Sequence, residues 1–190
     1  MSRARPATDP LGNPLTLSDS TSQRLVDDFV GGFIACEARA ANLALTPHDD
    51  PDPLVQAYGA TLQMFAESAQ AVANAQPFIT RAQAGAAQST PRERRYIAAV
   101  AAWVAGDLRE AIRLHEEQAR EFPRDLVSLK LGQYHCFNLG DCPGMLRLAL
   151  AAAPHAADVP YLHGMLAFGY EQCHLMREAE ASARRAIAME

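Results

Sequence analysis

Thr90-Pro91-Arg92-Glu93-Arg94-Arg95-Tyr96-Ile97-Ala98-Ala99-Val100-Ala101-Ala102-Trp103-Val104-Ala105-Gly106-Asp107 is the stretch from which the rest of the chain can be read. It opens as a helix opens. The Thr90 hydroxyl can accept an orphan amide, Pro91 suits the first helical position, and Glu93 can reach back to the cap residue. It closes on Gly106-Asp107.

Working outward, the same punctuation recurs. Gly140-Asp141 lies 34 residues after Gly106-Asp107, and His174-Leu175 lies 34 residues further on. Ala111, Met145 and Ala179 keep the same step. A 34-residue period is that of the tetratricopeptide repeat, a helix pair with small residues where its two helices touch. The first unit supplies Ala99, Ala111 and a closing Pro123; the third supplies Ala167, Tyr170, Ala179, Ala183 and Ala186. The middle unit is more degenerate, with Gln133, Cys136, Met145 and Ala152.

Composition agrees with helix. Apolar residues make up 49% of the 190 and charged residues 21%, and alanine, the best helix former, dominates the apolar share. Strand-favouring clusters are scarce. The expected fold is therefore all-α: an α-solenoid of TPR-like helix-turn-helix repeats with an N-terminal helical extension. Residues 1–19, rich in proline and glycine, are expected to be an extended or disordered lead-in. Residues 20–89 are expected to hold N-terminal helices, a degenerate first repeat. The first runs from Ser20 to about Leu45, where Leu25, Phe29, Phe33 and Ala40 share a face. A proline-rich turn over Thr46 to Pro53 stops it, and helices over about 54–66 and 71–84 follow, the latter bent near Pro77. Residues 90–190 divide into three units, about 90–125, 126–158 and 159–190.

Several function classes are excluded or disfavoured. The net charge of −5 gives no global basic field to attract nucleic acid. The longest apolar run, Ile97 to Gly106, is far short of a membrane span. Met1-Ser-Arg-Ala-Arg-Pro6 is basic but no apolar stretch follows it, so no secretory signal is read. The four cysteines, Cys36, Cys136, Cys142 and Cys173, lack a framework spacing. A cytoplasmic protein is expected. The basic residues are nearly all arginine, with Lys130 the single lysine, a bias that fits a GC-rich bacterial genome.

No catalytic or metal constellation is apparent, and neither enzymatic activity nor a cofactor is expected. His135-Cys136, Cys142 and Cys173-His174 contain no Cys-x-x-Cys pair, and adjacent helical residues point about 100° apart, which keeps them from converging on one ion. His115 and His163 occupy positions that normally pack, so they are expected to be partly buried and neutral, bonded to a carbonyl or a Glu. Arg81, Arg92, Arg94 and Arg95 gather on and before a helix start; solvated charges with acidic partners and an anion site both remain open for them.

The inward face of each unit's first helix is where repeats of this type meet their partners. It would collect Tyr96, Val100, Trp103 and Val104 from the first unit. The second gives Lys130, Tyr134, Phe137 and Asn138, and the third Tyr161, Gly164, Phe168 and Glu171. Two uses of that face stay open: a groove for a protein or peptide, and a packing surface for a further helix. A clamp for a terminal carboxylate is excluded, because only Lys130 is basic there and Tyr134 stands where an amide is wanted.

Thr90-Pro91-Arg92-Glu93-Arg94, Gly106-Asp107, Pro123-Arg124-Asp125, Gly140-Asp141, Asp9-Pro10-Leu11-Gly12 and above all Gly164-Met165-Leu166-Ala167-Phe168-Gly169-Tyr170-Glu171 carry a more specific likeness. Over most of its length the chain resembles the tetratricopeptide repeat protein 38 family. Members of that family are longer, with further helices and a His-rich stretch. The resemblance therefore implies that this chain is an N-terminal portion, and leaves a second functional reading: the front half of a small-molecule- or metal-binding, even enzymatic, protein whose chemistry lies in the later histidines. The last unit is then uncapped, so pairing with a second copy through the C-terminal end, or fraying there, is expected.

Overall fold

A computed structural model describes residues 7–45 and 50–190 of the chain. Among the described residues there are nine α-helices, two short 3-10 segments and no strand beyond a single bridge between Thr8 and Pro14. None of these helices is long and apolar enough to cross a membrane. The fold is all-α. It divides into two compact units, one ending at Ala111 and the other spanning Ile112–Glu190.

The first unit begins before its first helix. In place of an extended lead-in, residues 7–19 form a pinned turn. The buried Asp9 carboxylate accepts from the Leu11 amide (3.0 Å), the Asn13 amide (2.8 Å) and the Asn13 side chain (2.9 Å). Leu11 and Leu15 are buried beneath it. Helix α1 (Ser20–Ala35) then starts on Asp19, whose carboxylate takes the Thr21 and Ser22 amides.

The helix does not run to Leu45. Cys36 adopts a left-handed conformation (φ 58°), its amide and that of Glu37 both bond back to the Gly32 carbonyl, and the chain reverses as a 3-10 segment (Ala38–Leu45). That reversal requires Gly32, because a Cβ there would lie 2.5 Å from the Ala40 nitrogen. The apolar spacing of residues 38–45 resembles that of a continuing helix, and the cap at Cys36 carries no glycine or proline, so the stop is invisible to spacing alone. Residues 46–49 of the expected proline turn, like the basic residues 1–6, lie outside the described residues.

Helix α2 (Pro53–Phe65) is the hub of this unit, since Leu54 through Thr61 are all buried. A helix buried on every side must be surrounded. Helix α3 (Ala71–Gly85) packs against it and passes through Pro77 without a break. Helix α4 (Pro91–Val104) carries the full capping box: the Thr90 hydroxyl accepts from the Glu93 amide (3.2 Å) and Glu93 accepts from the Thr90 amide (2.7 Å). Glu93, fully buried, also takes the Thr16 amide at 2.9 Å, tying the first turn to α4.

Helix α5 (Leu108–Glu121) crosses from one unit into the other. In the second unit, α6 (Leu126–Asn138) packs on α7 (Cys142–Ala152), α7 on α8 (Pro160–Gln172) and α8 on α9 (Met176–Met189). Leu126, Leu129, Leu131, Met145, Leu148 and Leu162 are fully buried between them. The buried Gln133 amide donates to the Met145 carbonyl (2.9 Å) and the Met165 carbonyl (3.1 Å), joining α6 to both α7 and α8.

The 34-residue period corresponds to a repeated turn. The amides of Gly106, Gly140 and His174 bond back to Trp103, Phe137 and Glu171, and those of Asp107, Asp141 and Leu175 to Ala102, Cys136 and Tyr170. The turn residues have φ of 82°, 72° and 60°. Asp107 and Asp141 cap the following helices through the Glu110 and Gly144 amides at 3.0 and 2.9 Å. Glycine supplies the left-handed residue at no steric cost in the first two turns; His174 adopts it with a side chain.

Candidate partner-binding face

The residues expected on the inward face divide between the two units and meet different fates. Tyr96 and Val100 are fully buried and Trp103 is buried. Helix α2 covers them. Tyr96 meets Tyr58 edge-on at 5.2 Å and its hydroxyl lies 2.8 Å from that of Thr61. Trp103 meets Phe65 edge-on at 6.3 Å. The aromatic contacts continue from Tyr58 to Phe29 (4.2 Å) and on to Phe33 (5.1 Å). On α4 the face is core, which is the packing alternative among the two uses open to it.

On α6 and α8 the face is open. Phe137 is 48% exposed and Phe168 40% exposed, and their rings lie 5.6 Å apart. Lys130 and Tyr134 on α6 and Tyr161 on α8 are half-buried. Gly164, one turn before Phe168, is exposed, and a Cβ built on it would meet nothing within 4 Å. The structure thus brings one α6 member and one α8 member together, Phe137 and Phe168. Leu139, 50% exposed just past the end of α6, is a further exposed apolar residue of this unit; it falls in the turn rather than on the helix, where helical spacing gives no signal for it.

This face is outward because the opposite faces of its helices are already used. On α6, Leu129, Leu131, Gln133, His135 and Cys136 are buried. His115 and His135 form an internal imidazole pair with centroids 5.5 Å apart, and His115 Nδ1 lies 2.7 Å from the Ser128 hydroxyl. Burial holds both rings well towards neutrality; for His135 the pKa falls to about 4, and for His115 the neighbouring His135 adds to the effect. His163, also buried, sits with Nε2 2.9 Å from the Ala157 carbonyl.

Burial also pushes the Cys136 thiol up to about 12, with the Asp141 and Glu116 carboxylates adding to it, so it is a packing residue rather than a nucleophile. All four cysteines are free thiols. Among the described residues, no three His, Cys, Asp or Glu side chains are placed to hold a metal ion.

The arginines separate as well. Arg92 is buried and reaches the Pro14 carbonyl at 3.4 Å, and Arg94 donates to the Ser89 carbonyl, so both are structural ties at the α4 start. Arg81 is exposed on α3. No known protein-family model matches the chain, and no solved structure matches it.

Proposed function

We propose that the chain is a non-catalytic α-solenoid of tetratricopeptide-type units that binds a protein or peptide partner on the α6/α8 face of its C-terminal unit. The observation that carries this is the Phe137–Phe168 pair, two large rings left nearly half exposed side by side, one on α6 and one on α8. Aromatic anchors of this kind, on helices that also carry the half-buried Lys130, Tyr134 and Tyr161, are what interface hot spots are made of. The open space over Gly164 gives a partner side chain somewhere to enter. The repeated turns at 34-residue spacing support the repeat reading and the resemblance to the tetratricopeptide repeat protein 38 family.

Selection from a displayed peptide library tests it whatever the natural partner is. Peptides with apolar anchors should be enriched on the wild-type protein and lose at least about tenfold in affinity on Phe137→Ala/Phe168→Ala. Enrichment that survives the double substitution places the binding elsewhere.

Self-association is the second reading, and α9 favours it. None of its residues is buried, and Leu175, Met176, Ile187 and Met189 are exposed along or just before it, Ile187 to 75%. Apolar side chains gathered in this way tend to mark an interface.

A further inference from the structure

Independently of that face, the first unit carries a cleft of about 440 Å³ between α2 and α3, lined by Gln63, Ala73, Asn74, Pro77, Phe78 and Arg81. Its volume lies in the range of small-molecule sites, and its lining mixes apolar walls with a few polar groups. What distinguishes it from a surface irregularity is how Arg81 is held.

Gly59 on α2 has no side chain because Phe78 occupies the place of one; a Cβ there would lie 2.6 Å from the Phe78 ring. The Arg81 guanidinium then sits over that ring, 5.2 Å from its centroid. Its Nε donates to the Gln56 side-chain oxygen at 2.9 Å. Gln56 is itself buried and anchored, its side-chain amide donating to the Asp50 carbonyl at 2.7 Å. A stacked ring and a buried amide therefore fix the plane of the guanidinium while consuming only Nε.

The two Nη groups are left as an open fork. Among the described residues Arg81 has no carboxylate partner. Nearby, the side-chain amides of Gln63 and Asn74 make no hydrogen bond among the described residues, and Pro77 has no amide hydrogen to give the Ala73 carbonyl one helical turn back. A planar charged fork, free amides and an apolar wall of Phe78 and Pro77 match a flat anion with an apolar body. A guanidinium fork pairs two-fold with a carboxylate.

We propose that the α2–α3 cleft is a binding site for a small planar carboxylate, with the acid group on the Arg81 fork and the flat body against Phe78 and Pro77. Titration of the whole chain with sodium benzoate, followed by proton–nitrogen spectra, tests it. The expected result is a saturable shift at Arg81 Nε–H and at the Gln63 and Asn74 side-chain amides. Benzamide, neutral but of the same shape, should bind at least about tenfold more weakly. Inorganic phosphate, which has the charge without the apolar body, should also be weaker. Arg81→Gln should abolish saturation, and Arg81→Lys, which keeps the charge without the fork, should fall between it and wild type. A benzoate response that never saturates, that benzamide or phosphate equals, or that persists in Arg81→Gln overturns the proposal.

Discussion

His115 Nδ1 shares a 2.7 Å hydrogen bond with the hydroxyl of Ser128, and the Ser128 amide in turn donates to the Asp125 carboxylate that caps α6. The imidazole is thus tied to the start of α6, fully buried, with His135 as its ring neighbour. For both rings the loss of water around the charged form is the leading effect on protonation.

This arrangement makes stability depend on pH with a definite sign. Both folded-state pKa values lie below the ordinary 6.5, that of His135 at about 4. The unfolded chain therefore binds more protons as the pH falls through 6.5. Holding these rings neutral costs nothing above about 6.5 and costs progressively more stability as the pH falls from there to the folded-state value. At pH 5, His135 alone should cost about 2 kcal/mol relative to pH 7.5. Urea unfolding at the two pH values reads this directly, and His135→Gln should flatten the difference. Equal midpoints in the wild-type protein would show the pair to be solvated in solution.

Trp103 should behave as core. It is 7% exposed against Phe65, so Trp103→Ala should destabilise the protein by about 3–5 kcal/mol. Phe137→Ala removes an exposed ring and should cost within about 0.5 kcal/mol. Urea midpoints of the two variants should separate accordingly; a mild Trp103→Ala would mean that α2 does not cover it.

The contrast shows what can and cannot be read from residue order. The repeated turns are legible because they are local: a helix must stop, a left-handed residue must follow, and glycine and aspartate announce both. The same holds for the Thr90–Glu93 box. The aromatic stripe on α4 is legible as a stripe, but nothing in its spacing tells whether a partner or the chain's own helix lies on it. Helix α2 answers that, and its buried run from Leu54 to Thr61 is assembled from contacts far along the chain. The end of α1 at Cys36 is hidden for another reason: a non-glycine residue takes the left-handed cap, and the signal is Gly32, four positions earlier.

Two glycines in the second unit should respond with opposite signs. Gly132 faces the His115 Cβ and Leu148 Cδ1, each 2.9 Å from where its own Cβ would be, so Gly132→Ala should destabilise by about 1–3 kcal/mol. Gly164 faces open space inside α8, and Gly164→Ala should stabilise by roughly 0.5–1 kcal/mol. Thermal melts of the pair would show a shift down and a shift up. Two shifts in the same direction would contradict the packing described around α6.

Self-association through α9 has a simple readout. Light scattering at micromolar concentration should give a mass above the 20.6 kDa of one chain, and Ile187→Glu should return it to that value. A wild-type monomer under these conditions would remove the second reading.

The carboxylate of Glu93 serves two masters, the Thr90 amide next to it and the Thr16 amide 77 residues earlier. During synthesis this imposes an order in time. The Asp9 turn is made before α4 and can close on itself, but its tie to Glu93 cannot form until α4 has been made. At about 5–20 residues per second, that is a wait on the order of several seconds. Until then the turn that buries Leu11 and Leu15 has no α4 to hold it. The Thr16 tie therefore forms only once residue 93 has been made, later than the Gln23–Thr8 and Ser18–Asp52 contacts of the same segment.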